Sequence, residues 1–431
     1  MIRLSQLSVI EKIYLGILLV IFGGIVLHAP LTTGLGALVP DYSLVFKMWK
    51  EFLLFVATVA AGMILYQKRS LHILKEPLMV GIEIYAALHL LLLALFWQGL
   101  APAMAGLMID LRYVLFFVLV YLALRLYPTS RRLFIKVGVI GALVALIFAL
   151  LQVFVLPKDI LKYIGYGPST IVPYLTVDQN SAFIRITGTF RGPNPLGAYA
   201  AVVLILLAAF ATRHRINVTK YRLAIVGILS LGGVVALWAS YSRSALIGTL
   251  VGLGIVLVAT VGRRLPRRSW IIGSVVLVAI VGGLVLSRGG NFISNVVLHE
   301  NPGQGNSINS DQGHVESLQN GFGNLVKQPL GGGIGSTGSA SLYGQSPLII
   351  ENQYLLIAHE TGWLGLILFL MIFVGILNRL WQRRQDYLAL GVFASGIGLA
   401  LIGLLLPVWV DDSVAIIWWG LAAIAIGTQY D

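Results

Sequence analysis

Residues 185–210 read RITGTFRGPNPLGAYAAVVLILLAAF, which joins a polar segment with two arginines directly to an apolar run. The apolar half is typical of a bilayer-spanning helix, which needs about 20 mostly apolar residues. Core helices of soluble proteins are shorter and keep a polar face. The stretch therefore indicates a membrane protein, and it raises the question of why two permanent cations, Arg185 and Arg191, stand at the mouth of a helix.

Similar apolar runs recur along almost the whole chain of 431 residues, of which 58% are hydrophobic and 11% charged. We expect an all-α, polytopic membrane bundle of about twelve transmembrane helices, a single integral-membrane domain over 1–431 with no soluble domain. The predicted spans are 12–29, 50–66, 78–97, 107–125, 133–156, 195–212, 222–240, 244–262, 270–287, 352–378, 387–407 and 413–428. The first is expected to be a retained helix, because no small-residue cleavage site follows it.

Lysine and arginine are distributed unequally between alternate connections. The strongly basic ones are QKRSLHILKEP, RLYPTSRRLFIK, RHRINVTKYR, GRRLPRR and NRLWQRRQ. By the positive-inside rule these connections and both termini lie in the cytoplasm. The rule also explains the net charge of +13 without nucleic acid as a partner. The absence of cysteine excludes disulfides and cysteine-ligated metal sites.

Two connections on the predicted outer side are long, at 157–194 and 288–351. The first contains both arginines of the opening stretch. The second separates the ninth and tenth predicted helices, is rich in Gly, Asn, Ser and Gln, and is expected to be partly helical near 314–326. Long loops in compact proteins are usually functional or disordered, and we expect the site on the outer face.

Arg185 and Arg191 suit an anionic ligand. In an extended segment both would point the same way, together with Thr187 and Thr189. Asn194 followed by a proline predicts an N-cap and a helix start whose positive dipole end faces the same place. The plainer interpretation is a pair of interfacial arginines bound to lipid phosphate.

Arg243 lies in the tight outer turn of LWASYSRSALIG, residues 237–248. An arginine at the membrane surface is costly unless it is paired, although it can also extend to the headgroups. Together with the two arginines of the first outer loop it predicts a diphosphate site, because planar guanidinium groups match phosphate oxygens without a metal. Arg112, with Asp110 near the outer end of the fourth span, forms a salt pair or joins this site.

The stretch SPLIIENQYLLIAHETGWLGLILFL, residues 346–370, runs from the second outer loop into the tenth predicted span. On a helix, Glu351, Asn352 and His359 share an arc of about 100°, with His359 about two turns deeper than Glu351. Glu351 could accept a proton from a hydroxyl group. The plainer interpretations are a dipole complement for Glu351 and a buried bundle polar group for His359.

His314 and Glu316 begin the predicted helix of the second outer loop, and His314 is the other candidate base because imidazole titrates near neutral pH. A solvated loop histidine is the plainer interpretation. Further along, GIGSTG at 333–338 matches GxGxxG, but no βαβ unit surrounds it and a dinucleotide site is rejected. The glycine-rich loop can still offer backbone N–H groups to a phosphate.

Four stretches in this order and on this topology resemble the bacterial O-antigen ligase and O-antigen polymerase family. They are RITGTFRGPNPLGAYAA, SYSRSALIG, KQPLGGGIGS and ENQYLLIAHETGWLGL. The resemblance implies a glycosyltransferase on the outer, periplasmic side of the bacterial cytoplasmic membrane, with no metal or other cofactor. The donor would be a glycan on a polyprenyl (undecaprenyl) diphosphate, and the acceptor a sugar hydroxyl of a glycan or glycolipid such as lipopolysaccharide core. Arg185, Arg191 and Arg243 would hold the diphosphate.

One position departs from the family pattern. The ligase pattern resembled here is His-Asn, then nine residues, then Gly-x-x-Gly. In this sequence Asn352, Gly362 and Gly365 stand at the matching spacing, but the residue before Asn352 is Glu351. The departure leaves both a ligase and a polymerase open, and either Glu351 or His314 as the base of an inverting single displacement.

The main alternative from another class is a transporter or flippase of lipid-linked glycans. Such a protein would carry charged residues and broken helices near mid-bilayer. A passive scaffold of an envelope assembly is a further alternative, which would need no convergent set of arginines.

Overall fold

The computed structural model describes residues 7–177, 180–213, 219–262, 321–323 and 325–428. In this part of the chain the fold is a bundle of helices with one short β-hairpin. The helices are α1 (Val9–Gly24), α2 (His28–Leu38), α3 (Ser43–Lys47), α4 (Trp49–Gln67), α5 (Pro77–Leu95), α6 (Leu100–Leu126), α7 (Arg131–Phe154), α8 (Pro193–Arg213), α9 (Lys220–Ala239), α10 (Arg243–Val261), α11 (Gly338–Ser341), α12 (Gln353–Gln382), α13 (Tyr387–Ile402) and α14 (Asp412–Gly427). The antiparallel strands of the hairpin are β1 (Tyr174–Val177) and β2 (Asn180–Ile186).

The all-α polytopic class is confirmed. Among the described residues, nine helical segments are long and apolar enough to cross a membrane, with α1 and α2 counted together as one. Two shorter apolar helices, α13 and α14, coincide with the last two predicted spans. The predicted span at 270–287 lies outside the described residues, so the total of twelve stays a prediction.

Helix α14 forms the centre of the bundle. Its residues from Ser413 to Gly427 are all buried, and Trp418 and Trp419 pack against each other and against Trp409, which precedes the helix. A helix that is apolar on every side has to be surrounded by protein. Because its neighbours enclose it, its length of about 24 Å does not have to match the bilayer core.

The chain direction gathers four helix starts at one end of the bundle. At the opposite end, the last turn of α8 meets the beginning of α13: Arg213 donates to Gln385 Oε1 at 2.9 Å, and the rings of Phe210 and Tyr387 lie 5.2 Å apart. Since α8 and α13 run in opposite directions from this contact, α8, α10, α12 and α14 begin at the other end. The positive dipole ends of these four helices therefore share the end that the charge distribution assigns to the outer side.

Candidate active site

Arg185, on β2, connects the hairpin to two helix ends. Its Nε donates to the carbonyl oxygen of Ser240 at 2.8 Å, and its Nη2 donates to Oδ1 of Asn194 at 2.6 Å. Ser240 is the C-cap of α9, and Asn194 lies in the first turn of α8. The structure thus brings Arg185 to the start of α8, with two of its guanidinium nitrogens already bound to protein groups.

The expected extended face over residues 185–191 is wrong beyond the end of β2. The strand ends at Ile186, and Gly188 then has φ +57°, a conformation that glycine adopts readily. Thr187 and Thr189 are buried instead of sharing a polar face with the arginines. A turn, and not strand alternation, therefore delivers the second arginine to the start of α8.

The predicted N-cap at Asn194 is also wrong. Helix α8 begins at Pro193, two residues before the predicted Pro195, because proline suits the first helical position, where its missing N–H group is not needed. The Asn194 side-chain oxygen accepts its hydrogen bond from Arg185. The helix start remains next to the two arginines, as the sequence predicts.

Arg191 borders a cavity of about 230 Å³ at the start of α8. The cavity is lined by five residues between 191 and 198, at the start of α8, and by six between 402 and 414, from the end of α13 to the first turn of α14. The Nε atom of Arg191 lies 3.1 Å from Oδ2 of Asp411, and the arginine side chain is 47% exposed. No further hydrogen bond or ion pair joins it to the described residues, which leaves both terminal nitrogens available to a ligand.

Arg243 is the first residue of α10, with Ser242 as N-cap. The turn before it packs tightly on α8, because a Cβ atom added at Gly197 would lie only 2.8 Å from Oγ of Ser240. Arg243 is half-buried. It lies three residues after Ser240, whose carbonyl oxygen accepts the hydrogen bond from Arg185. The three predicted arginines thus come from three elements that meet at the start of α8.

Sequence reasoning missed Asp411, the buried N-cap of α14. Its Oδ1 accepts from the N–H groups of Ser413 and Val414 at 3.1 and 3.0 Å, which leaves Oδ2 for Arg191. Burial raises the pKa of the Asp411 carboxyl group, and the charge of Arg191 opposes that rise. The signal was WVDDSVAII, residues 409–417, where two aspartates precede an apolar run in the usual helix-start pattern.

The adjacent Asp412 joins three other helices. It forms an ion pair with Nη2 of Arg112 on α6, lies 2.9 Å from Nζ of Lys50 on α4, and lies 3.1 Å from Nε2 of His28 on α2. The expected pair of Arg112 with Asp110 is therefore not formed, since Asp412 and the carbonyl oxygen of Val410 take the Arg112 guanidinium. Arg112 therefore holds Val410 and Asp412, the two neighbours of Asp411, which is the partner of Arg191.

The start of α12 places three predicted residues at different depths. Asn352 is the N-cap: its Oδ1 accepts from two backbone N–H groups, and its Nδ2 donates to the carbonyl oxygen of Leu404 at 2.7 Å. Glu351 is exposed just before the helix, and His359 is buried in its second turn. Leu404 lies in the connection from α13 to α14, other residues of which line the Arg191 cavity, so this hydrogen bond joins the α12 start to that connection.

Helix α12 is interrupted at Gly362, where φ is +66° and ψ is −170°. The glycine-rich loop fills the break, since the N–H groups of Gly332 and Gly333 donate to the carbonyl oxygens of His359 and Glu360 at 2.6 and 3.2 Å. The expectation that this loop offers its amides to a phosphate is wrong for these two glycines. Their N–H groups satisfy the helix carbonyls that the break sets free.

The acidic side chain that the loop does hold is Glu360, which sequence reasoning missed. The N–H of Thr337 donates to Glu360 Oε1 at 3.3 Å. Glu360 is 2% exposed, and neither its Oε2 nor Asp110 Oδ2, which lies 3.9 Å from Nε2 of His89, has a hydrogen-bond partner among the described residues.

Two predicted site residues, His314 and Glu316, lie outside the described residues.

Residues 227–370 match the family model for the O-antigen ligase family, Wzy_C. The chain carries an O-antigen ligase domain. The family predicted from the sequence is thereby confirmed, and it indicates a membrane glycosyltransferase of the ligase or polymerase type. No protein of curated function matches the chain.

The O-antigen ligase domain contains part of the candidate site. It includes Arg243 and the start of α12 with Glu351. Arg185 and Arg191 precede the domain, and Asp411 follows it. The cavity at Arg191 therefore lies where segments on both sides of the matched region meet.

Proposed function

We propose that the protein transfers a glycan from a polyprenyl diphosphate donor to a sugar hydroxyl of a glycan or glycolipid, on the outer face of the bacterial cytoplasmic membrane. Both an O-antigen ligase and an O-antigen polymerase perform this reaction type and differ in the acceptor. The observation that carries the proposal is Arg191, whose Nε pairs with the buried Asp411 while its terminal nitrogens remain available beside a cavity.

The anchored arginine suits a diphosphate. A carboxylate on Nε fixes the plane of the guanidinium group, and the two terminal nitrogens can then make a two-pronged contact with phosphate oxygens. The start of α8 adds its positive dipole end at the same place. Arg185 and Arg243 supply further positive charge on the neighbouring elements, although Arg185 also has a structural task between β2 and α8.

The proposed reaction is one displacement at the anomeric carbon. The acceptor oxygen forms a bond to that carbon while the bond from the carbon to the diphosphate oxygen breaks, so the configuration inverts. The electron pair leaves with the diphosphate, whose growing negative charge the arginines stabilise; such preorganised charge is usually the largest catalytic contribution. The hydroxyl proton passes to a base, and no metal is required.

Two residues remain candidates for this base. Glu351 lies exposed before α12, next to Asn352, whose side chain is hydrogen-bonded to the connection from α13 to α14. His314, outside the described residues, could supply an imidazole from the second outer loop. A base in hydrogen-bond reach of the acceptor typically contributes about 10²–10⁴ in rate.

The test uses purified protein in detergent with a polyprenyl-diphosphate oligosaccharide and a glycan acceptor. We expect a new glycosidic product and one equivalent of free polyprenyl diphosphate. Arg191→Lys should lower kcat by about 10²–10³, because lysine cannot make the two-pronged contact. Lys162→Gln is the matched control, since Lys162 is an exposed cation of the same outer segment whose ion pair with Asp159 lies away from the cavity. Near-normal turnover in Arg191→Lys would remove the role proposed for Arg191.

A flippase of lipid-linked glycans is the second candidate, and one observation favours it. The break in α12 at Gly362, with buried Glu360, Asp110 and His89 beside it, is the kind of feature that transporters use. The protein in vesicles separates the two functions. Movement of intact donor between leaflets without a new glycosidic product would support the flippase and contradict the transferase.

A further inference from the structure

A second cavity, of about 820 Å³, lies between α7, α8 and α9 and shares no lining residue with the cavity at Arg191. Its walls are mainly aliphatic and aromatic side chains, among them Val139 on α7, Leu206 on α8 and Leu229 on α9. Its mouth is at the end of the bundle where α7 and α9 begin and α8 ends, since Arg132, Arg222 and Phe210 line it there. This end is opposite to the one that carries Arg191 and Asp411.

Two exposed arginines stand at this mouth without a partner among the residues that the structure describes. Arg132 is the second residue of α7 and Arg222 the third residue of α9. Neither makes a hydrogen bond or ion pair with the described residues, whereas the neighbouring Arg131 is paired with Asp386. The mouth therefore has two positive charges that no acidic side chain of the described chain neutralises.

The depth of the cavity fits one leaflet of a bilayer. Along α8 it extends from Tyr199 at its inner end to Phe210 near its mouth. These twelve residues are eleven helical steps apart from end to end, about 16 Å, which is close to half of the hydrocarbon core of about 30 Å. An acyl chain that enters from the surface would follow this path and end beside Tyr199.

We propose that this cavity binds an anionic phospholipid, with one acyl chain between α7, α8 and α9 and the phosphate between Arg132 and Arg222. A basic mouth on an apolar slot between helices is complementary to such a lipid in both charge and shape. The long chain of a polyprenyl diphosphate donor is a different ligand, because its diphosphate would belong at the opposite end of the bundle. The inference stands independently of the proposed transferase activity.

Native mass spectrometry of the detergent-purified protein tests the charge at the mouth. Wild type should retain phosphatidylglycerol and release phosphatidylcholine of the same acyl chains. Arg132→Gln with Arg222→Gln should weaken phosphatidylglycerol retention about fivefold for each arginine removed. The control is Lys136→Gln with Lys220→Gln, two exposed lysines on the same helices that do not line the cavity. Equal losses in the two double variants, or equal retention of the two lipids by wild type, would overturn the proposal.

A second pair of variants tests whether the chain enters the cavity. Val226 lines the slot, and Ile228, on the same helix, is 39% exposed and does not line it. Val226→Trp should fill the cavity and weaken retention of phosphatidylglycerol with long acyl chains at least fivefold. Ile228→Trp should leave this retention unchanged. Binding that is indifferent to Val226→Trp in a folded protein would show that the lipid stays on the surface, contrary to the proposal.

Discussion

At the scale of single residues, the candidate site depends on the pair of Arg191 and Asp411. The aspartate is buried and is fixed by two backbone N–H groups of α14, while the arginine is about half exposed. Asp411 therefore sets the orientation of the Arg191 guanidinium group, and Arg191 presents its terminal nitrogens to a ligand. Such positioning matters because a displacement of about 1 Å in a binding group can lower a rate about 100-fold.

The pair makes activity depend on pH. Burial raises the pKa of Asp411 above the ordinary aspartate value of 3.8. Above the raised pKa the carboxylate is ionised and holds Arg191; as the pH falls through it, the carboxyl group gains a proton and the ion pair is lost. We expect kcat/KM of the wild type to fall on the acid side with a midpoint above 3.8, measured with the transfer assay.

Asp411→Asn tests this assignment. Without the carboxylate, the acid limb that Asp411 causes should disappear and the plateau should fall about 100-fold, because Arg191 loses its anchor. Asp411→Glu keeps the charge and should restore an acid limb with part of the activity. An Asp411→Asn profile that overlays the wild type would show that the pair is not needed for transfer.

At the scale of elements, the break in α12 decides how the second outer loop meets the bundle. The loop enters at the break, and its amides bind both the freed helix carbonyls and the Glu360 carboxyl group. This arrangement requires Gly362, since its backbone conformation is almost restricted to glycine. A Cβ atom there would also lie 2.4 Å from the carbonyl oxygen of Pro329.

Gly362→Ala should therefore lower the free energy of unfolding by about 1–3 kcal/mol or more. Gly375→Ala is the control on the same helix, because its added Cβ would only touch Leu78 at 3.9 Å. The control should be neutral or slightly stabilising, as alanine is the better helix former. Thermal unfolding in detergent measures both. Equal melting temperatures for the two variants would contradict the role assigned to Gly362.

At the scale of the whole molecule, Asp412 ties the first and last parts of the chain together. Its partners His28, Lys50 and Arg112 come from α2, α4 and α6. Lys50 and Arg112 are almost fully buried, so each depends on acidic partners for its charge. The network surrounds the start of α14 and thereby fixes Asp411, one residue earlier, against Arg191.

Asp412→Ala should destabilise the protein by about 3–5 kcal/mol, because it leaves buried cations without this partner. Adding Arg112→Ala should recover part of the loss, since one uncompensated charge is removed. Asp159→Ala, which breaks an exposed ion pair with Lys162, should change the unfolding temperature little. A loss in Asp412→Ala no larger than in Asp159→Ala would show that the network does not stabilise the bundle.

The membrane class and the described spans follow from the sequence by itself. Transfer of a segment into a bilayer depends on its own residues, so a run such as that in α8 predicts its helix without knowledge of its neighbours. The sequence likewise predicts which end of α8 lies next to Arg191, and its short motifs predict the family. Helix starts were less accurate, as at Asn194, because a tertiary partner took the side chain that was expected to cap.

Only the tertiary structure decided which groups meet. Arg191 and Asp411 are separated by 220 positions, Asp412 and His28 by still more, and neither pair leaves a periodic pattern in the sequence. The break at Gly362 likewise depends on a loop that arrives from elsewhere to satisfy the freed carbonyls. The physical reason is that hydropathy sums over consecutive residues, whereas ion pairs and loop insertions depend on how separate helices pack in the folded bundle.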